Sequence, residues 1–187
     1  MKALPGRHNA SNALGCVLVL KTIGMEWKEI EAGFENARAA KGRSEFKLLD
    51  SGAGLLADYY NASPASMKAG FLTLQEELQR RTQGELVLVL GDMLELGVNE
   101  LEFHRELAGP LMALGPRLVL LYGPRMKALA ERLKVEPSMT DRVFHFTEKS
   151  ELKVQFYQRQ RPTDLILLKG SRSMKMEDII RDSKSET

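Results

Sequence analysis

Two cations and a hydroxyl stand close together near the end of the chain: Lys169, Ser171 and Arg172 follow the apolar run at residues 165–168. If that run is a β-strand, these side chains lie at its carboxyl end, in front of a helix that we predict over residues 173–182. Cationic side chains beside a helix N-terminus bind a carboxylate well. The segment therefore predicts an anion site, and a solvated turn between strand and helix is the alternative.

Polar side chains also follow the apolar segment at residues 55–57, where Asp58, Tyr60 and Asn61 stand within four positions. A carboxylate at the end of a strand can accept two hydrogen bonds from ribose hydroxyls, which makes Asp58 a candidate nucleotide contact. The alternative is an Asp that bonds to its own backbone in a turn. Tyr60 and Asn61 are by themselves ordinary loop residues.

Asp92 and Glu95 follow the apolar run at residues 86–90. They can orient an incoming ammonium group or support the loop, and the alternative is that they cap the next helix. We place both behind the site rather than in contact with a ligand. His104 falls on a helix predicted over residues 99–114, where a structural role is the more common one. No spacing of Cys and His residues predicts a metal site.

Three further candidates lie near the start of the chain. His8 and Asn9 precede a helix predicted over residues 9–23, where free backbone N–H groups and side-chain donors can meet a nucleotide. An ordinary helix cap is the alternative. Arg43 follows Gly42 at a predicted domain junction, where a lone arginine is usually solvated.

The elements that position these residues are read from the alternation of short apolar runs with helix-length segments. Continuously apolar strands are typical of a parallel sheet covered on both faces. We therefore predict an α/β fold with a Rossmann-like, doubly wound, mostly parallel sheet, in which ligands meet the loops at the carboxyl ends of the strands. The predicted strands are residues 86–90, 118–121, 143–146 and 165–168.

Residues 1–42 form a separate segment of two predicted helices, and residues 43–187 form the Rossmann-like domain, which opens with a β-hairpin around a glycine-rich turn at residues 50–54. Gly24 closes the first helix, and Gly42 ends the second, which carries Ile30, Phe34 and Ala37 at helical spacing. Ser63 and Pro64 mark the start of a helix to about residue 80. Further helices are predicted over residues 125–133 and 148–158.

Composition excludes several classes of protein. Lys and Arg total 27 against 25 Asp and Glu, and the charges are interspersed, so nucleic-acid binding has no support. The one cysteine, Cys16, lies in an apolar run, which predicts a buried thiol in a reducing compartment such as the cytoplasm. No run is long enough to indicate secretion or membrane insertion. Neither a phosphate loop nor a dinucleotide-binding glycine motif occurs.

Four segments, in order, resemble the Mur ligase family: residues 4–14 (LPGRHNASNAL), 56–64 (LADYYNASP), 90–97 (LGDMLELG, followed by His104) and 169–177 (KGSRSMKME). They are most similar to the member that adds D-alanyl-D-alanine to UDP-N-acetylmuramoyl-tripeptide in peptidoglycan synthesis. Each motif is weak by itself, but four in register identify the family. The second motif departs from the family pattern at Ala57, Tyr59 and Ser63, so the resemblance implies no ligand contact for those three positions.

The resemblance implies that ATP phosphorylates the carboxylate of the UDP-linked tripeptide and that the dipeptide amine then attacks the acyl phosphate. It implies ATP contacts for His8, Asn9, Arg43 and Asp58, and a dipeptide pocket along Tyr60 and Asn61 that Lys169, Ser171 and Arg172 complete. ATP and Mg²⁺ are expected in the full-length enzyme, whose phosphate loop and magnesium ligands belong to a central domain.

We expect this chain to be the C-terminal part of such an enzyme, without turnover alone and without a tightly bound cofactor, and to work with the N-terminal and central domains of the same protein. Two alternatives stay open. One is a non-catalytic α/β module that binds a nucleotide or a partner protein. The other is a fragment of another Mur ligase or of a folylpolyglutamate synthetase, whose strand-end motifs are absent here.

Overall fold

The computed structural model describes residues 7–37 and 40–180, with side chains from Asn9 onward. In this part of the chain one mixed sheet has the strand order β1-β2-β6-β3-β4-β5. β1 pairs with β2 in the antiparallel sense, and all other neighbours are parallel. The strands are β1 Glu45–Leu48, β2 Gly54–Asp58, β3 Leu86–Gly91, β4 Leu118–Tyr122, β5 Val143–Phe146 and β6 Leu165–Lys169.

The four predicted parallel strands and the hairpin are confirmed, and with them the α/β fold class. Alternate residues of the apolar runs enter two separate hydrophobic clusters. Leu88 and Leu90 of β3 belong to one, and Val87 and Val89 belong to the other. Each face of the sheet is therefore covered, as continuous apolarity requires.

The helices of the described residues are α1 Arg7–Thr22, α2 Trp27–Asn36, α3 Pro64–Gln79, α4 Glu100–Arg105, α5 Ala108–Leu114, α6 Met126–Lys134 and α7 Lys149–Arg159. Ser63 caps α3 by accepting a hydrogen bond from the backbone N–H of Ser66, and Pro64 occupies the first helical position, as predicted. Helices α3, α5 and α6 cover one face of the sheet, and α7 covers the other.

Two predicted helices were wrong. The helix over residues 99–114 breaks between α4 and α5, because Pro110 lacks the N–H that would bond to the Glu106 carbonyl and its ring clashes there. Residues 173–182 form no α-helix within the described range. Two short 3₁₀ turns, Arg172–Met174 and Met176–Ile179, stand there instead, separated by Lys175 in the left-handed conformation at φ 45°.

The start of the chain differs from the prediction in three further details. The helix begins at Arg7, so His8 and Asn9 lie in its first turn rather than before it. α2 ends at Asn36 because Ala37 is extended, and Gly42, at φ 72°, belongs to the turn before β1. Cys16 is exposed, not buried. An apolar run shows that a helix has an apolar face, but it does not show what covers that face.

No helix within residues 7–37 and 40–180 has both the length and the apolarity needed to cross a membrane. The boundary between residues 42 and 43 stays a prediction.

Candidate functional site

Asp58 and Lys169 lie side by side at the carboxyl ends of β2 and β6, where the parallel register pairs them. The Lys169 ammonium is 2.5 Å from Asp58 Oδ2. Asp58 Oδ1 accepts a hydrogen bond of 3.0 Å from the backbone N–H of Ser44, in the turn before β1. Both carboxylate oxygens therefore already have a partner, and lone pairs for a ribose hydroxyl remain only on the exposed side of the carboxylate.

Lys169 is only 1% exposed. Besides Asp58 Oδ2, its ammonium donates to the carbonyl of Asn61 at 2.9 Å and to the carbonyl of Asp58 at 3.4 Å. Burial lowers the pKa of Lys169, and the Asp58 carboxylate opposes that shift. This geometry corrects the predicted contact between Lys169 and a dipeptide carboxylate, because internal acceptors occupy all three ammonium protons.

A cleft of about 530 Å³ opens beside this pair, between the start of α1, the start of α3 and the loop after β2. Its volume is in the range of small-molecule and cofactor sites. Arg43 is exposed at the mouth, and its guanidinium carbon lies 3.9 Å from the centre of the Tyr60 ring. We call this the first cleft; its polar lining consists of Asn9, Asn12, Arg43, Ser44, Asp58, Tyr60, Asn61, Ser63, Ser66 and Lys169.

A second cleft of about 470 Å³ lies on the other side of Tyr60 and Asn61. The loops after β3 and β6 complete it with Leu94, Glu95, Ser171, Arg172, Ser173 and Lys175. Because Tyr60 and Asn61 line both clefts, the loop after β2 is their common wall.

Besides Lys175, Arg172 is an exposed cation of the second cleft. Its side chain is 60% exposed, and one guanidinium nitrogen lies 2.6 Å from a carboxylate oxygen of the buried Glu177. The remaining N–H groups of the fork stay available to a ligand. The helix N-terminus that the sequence predicted here is missing, because the Arg172–Met174 turn has only three residues. The predicted anion site therefore loses the contribution of a helix dipole.

Ser171 is buried, and its hydroxyl accepts a hydrogen bond of 2.8 Å from the backbone N–H of Leu94. Its own N–H donates to the carbonyl of Asp92 at 3.0 Å. Ser171 thus ties the loop after β6 to the loop after β3. Glu95 is exposed at the edge of the second cleft, with a left-handed backbone at φ 63°, so it lines the cleft and does not lie behind the site as predicted.

Asp92 is completely buried and caps α6. Its Oδ1 accepts a bond of 2.8 Å from the N–H of Met126, and its Oδ2 accepts one of 3.2 Å from the N–H of Arg125. Asp92 therefore cannot orient an ammonium group. The capping alternative is the correct one, although the capped helix lies more than 30 residues away rather than next in the chain.

His104 is structural, as predicted. Its Nε2 accepts a hydrogen bond of 3.0 Å from the N–H of Met93, so Nδ1 carries the proton and donates to the Glu100 carbonyl at 2.6 Å. The ring joins α4 to the loop after β3.

Asn9 lines the first cleft from the first turn of α1, whereas the His8 side chain lies outside the described residues. Sequence reasoning missed Asn12, although it lies three positions after Asn9 and the two therefore share a helix face. It also missed Ser44, which no local pattern marks, and it gave no role to Glu177, although Glu177 ends the motif at residues 169–177. Within the described ranges, no group of three or more His, Cys, Asp or Glu side chains is arranged to hold a metal ion.

Comparison with known proteins identifies the family of this chain. The sequence model described as "Mur ligase, glutamate ligase domain" matches residues 42–172, well over half of the chain. The chain belongs to the Mur ligase family. The matched span contains the common wall at Tyr60 and Asn61, together with Arg43 and Arg172.

Among curated Mur ligases, the chain is 37% identical over 177 residues to the UDP-N-acetylmuramoyl-tripeptide--D-alanyl-D-alanine ligase of Bacillus subtilis (strain 168). It is 35% identical over 178 residues to the ligase of the same name from Escherichia coli (strain K12). Each match includes 95% of this chain, which spans 38% and 37% of the two relatives, respectively. The crystal structure of MurF from Acinetobacter baumannii superimposes with a TM-score of 0.77 at 29% identity, covering 93% of this chain and 37% of that one.

Proposed function

We propose that this chain serves as the dipeptide-receiving domain of an ATP-dependent ligase that joins D-alanyl-D-alanine to UDP-N-acetylmuramoyl-tripeptide in the cytoplasm. The observation that carries the proposal is the pair of clefts that share the wall formed by Tyr60 and Asn61. The dipeptide amine attacks an acyl phosphate whose phosphoryl group comes from ATP, so the nucleotide and the dipeptide must bind close to the same reacting carbonyl. Adjoining clefts at the carboxyl edge of a parallel sheet allow this.

The first cleft is assigned to the nucleotide. Arg43 offers a permanent cation to a phosphate, and the exposed side of Asp58 offers an acceptor to a ribose hydroxyl. Asn9 and Asn12 add amide groups from one face of α1.

The second cleft is assigned to the dipeptide. The carboxylate of the dipeptide is matched by the guanidinium N–H groups of Arg172 that Glu177 does not use. These N–H groups can donate to both carboxylate oxygens at once. Glu95 stands at the edge of the same cleft, with its charge suited to the dipeptide ammonium. The names of the relatives in Bacillus subtilis and Escherichia coli support this choice of substrate, since each is a UDP-N-acetylmuramoyl-tripeptide--D-alanyl-D-alanine ligase.

A domain exchange tests the proposal. Residues 7–180 of this chain replace the matching part of the Bacillus subtilis relative, and ADP release is measured with ATP, UDP-N-acetylmuramoyl-tripeptide and D-alanyl-D-alanine. We expect turnover that requires the dipeptide. A folded chimera that binds ATP but never responds to the dipeptide would contradict the proposal and favour a nucleotide-binding module.

Direct titration gives a second measurement on the chain itself. D-alanyl-D-alanine should bind, and the same dipeptide with its carboxylate converted to an amide should bind more weakly, because Arg172 then loses its anionic partner. Equal binding of the two ligands would remove the carboxylate from the assignment of the second cleft.

A further inference from the structure

Lys169 is an anomaly in the sheet, because it ends an otherwise apolar strand in the most buried layer of the fold. In register it lies between Asp58 of β2 and Leu90 of β3. Its aliphatic part packs so closely on α3 that a Cβ added to Gly70 would lie 3.6 Å from Lys169 Cδ. An ammonium group in such a place is costly unless every donor has an acceptor.

All three acceptors of this ammonium come from one short loop. Asp58 supplies its Oδ2 and its carbonyl, and Asn61 supplies its carbonyl. A lysine has three donors, so the loop at residues 58–61 satisfies it completely. Conversely, the two loop carbonyls have turned inward to meet a buried cation.

That loop is the common wall of the two clefts, and it also controls the turn that carries Arg43. One carboxylate oxygen of Asp58 accepts a hydrogen bond from the Lys169 ammonium, and the other accepts one from the N–H of Ser44. Ser44 has a left-handed backbone at φ 49°, which the bond to Asp58 helps to fix. The N–H of Tyr60 in turn donates to the carbonyl of Gly42 at 2.9 Å.

We propose that Lys169 is a positioning residue that sets the shape of both clefts by holding residues 58–61, without touching either ligand. Its identity as a buried cation matters because only a charged group with three donors bonds to the carboxylate and both carbonyls at once. The choice of ligands in the test rests on the proposed function, whereas the argument from the loop geometry does not.

The test compares Lys169→Met, which keeps the aliphatic stem and removes the donors, with Lys68→Met, a matched change at an exposed lysine of α3. Backbone amide chemical shifts are recorded for both variants, and ADP and D-alanyl-D-alanine are titrated separately. For Lys169→Met we expect shifted amide signals at Ser44, Tyr60 and Asn61. We also expect both ligands to bind at least about tenfold more weakly, the scale of one lost charged hydrogen bond. Lys68→Met should change neither these amide signals nor the binding of either ligand.

A double variant keeps the test valid if Lys169→Met fails to fold because Asp58 is left unpaired. Asp58→Asn with Lys169→Met removes both charges, yet the Asn61 carbonyl still lacks its donor. We expect this variant to fold and to bind D-alanyl-D-alanine at least about tenfold more weakly than wild type. Wild-type dipeptide binding by the double variant would overturn the proposal.

Two other outcomes would also overturn it. Loss of only one ligand in Lys169→Met would indicate direct contact with that ligand, and amide shifts confined to β6 would show that the loop does not depend on the lysine. If wild type binds neither ligand, the proposed function fails, but the amide shifts still decide the positioning role.

Discussion

Arg172 and Glu177 form an ion pair of 2.6 Å across the left-handed residue Lys175, so an exposed guanidinium is held by a buried carboxylate. Arg172 bonds to Glu177 Oε1, and Glu177 Oε2 has no hydrogen-bond partner among the described residues. The pair aims Arg172 at the second cleft, and the strained turn between the two residues makes this short approach possible.

Arg172→Lys should weaken D-alanyl-D-alanine binding by about 1–3 kcal/mol, because an ammonium group replaces a planar fork that can grip both carboxylate oxygens. Calorimetric titration of the dipeptide measures the effect, and ADP binding should stay at the wild-type value. Arg132→Lys, at an exposed arginine of α6, is the matched control. Unchanged dipeptide binding in Arg172→Ala would leave this arginine with a structural role only.

Arg43→Ala should weaken nucleotide binding without affecting the dipeptide, because Arg43 is the exposed cation of the first cleft. The Tyr60 ring holds its guanidinium by a contact worth about 0.5–1 kcal/mol at an exposed site. Tyr60→Leu should therefore also weaken ADP binding, whereas Tyr60→Phe keeps the ring and should not. Titration of ADP against the three variants checks this, and equal loss in Tyr60→Phe and Tyr60→Leu would contradict the stacking argument.

Asp92→Ala should lower the free energy of unfolding by about 1–3 kcal/mol, because two backbone N–H groups at the start of α6 lose a charged acceptor. Urea unfolding followed by circular dichroism measures this change. Dipeptide binding by the folded protein should be preserved, since Asp92 does not reach the second cleft. Selective loss of dipeptide binding at normal stability would restore the ligand-orienting role.

The lowered pKa of Lys169 gives a pH dependence of stability with a definite sign. Between the folded-state pKa and the unfolded value of about 10.4, the unfolded chain binds more protons, so stability contributed by this group rises with pH. Relative to Lys169→Met, wild type should therefore gain stability as pH rises through that window. Paired urea titrations at several pH values test the sign, and a falling difference would refute it.

Gly42→Ala should destabilise the chain strongly, because Gly42 has φ 72° and an added Cβ would lie 2.5 Å from the Tyr59 ring. Tyr59→Ser removes the ring, so the double variant should recover the steric part of the loss. The backbone cost of about 1 kcal/mol for a left-handed alanine should remain. Thermal unfolding of both single variants and the double variant measures the coupling, and strictly additive effects would exclude the contact.

Local sequence was sufficient to predict those strands and helix starts that depend on neighbouring residues alone. The apolar runs predicted β3, β4 and β6 to within one residue, because strands covered on both faces need continuous apolarity. Ser63 and Pro64 likewise fixed the start of α3 through capping and a preset φ angle. The placement of the polar clusters at the carboxyl edge of the sheet follows from the same parallel order.

Tertiary structure decided which way the charged side chains face. The sequence placed Lys169 and Arg172 together, yet Lys169 turns inward because its acceptors come from residues 58–61, more than a hundred positions away. Asp92 turns to the N-terminus of α6 for the same reason. A strand or a helix start is specified by neighbours along the chain, whereas a charge points to whichever partner the finished fold brings within hydrogen-bond distance, and the cost of leaving it unpaired selects that direction.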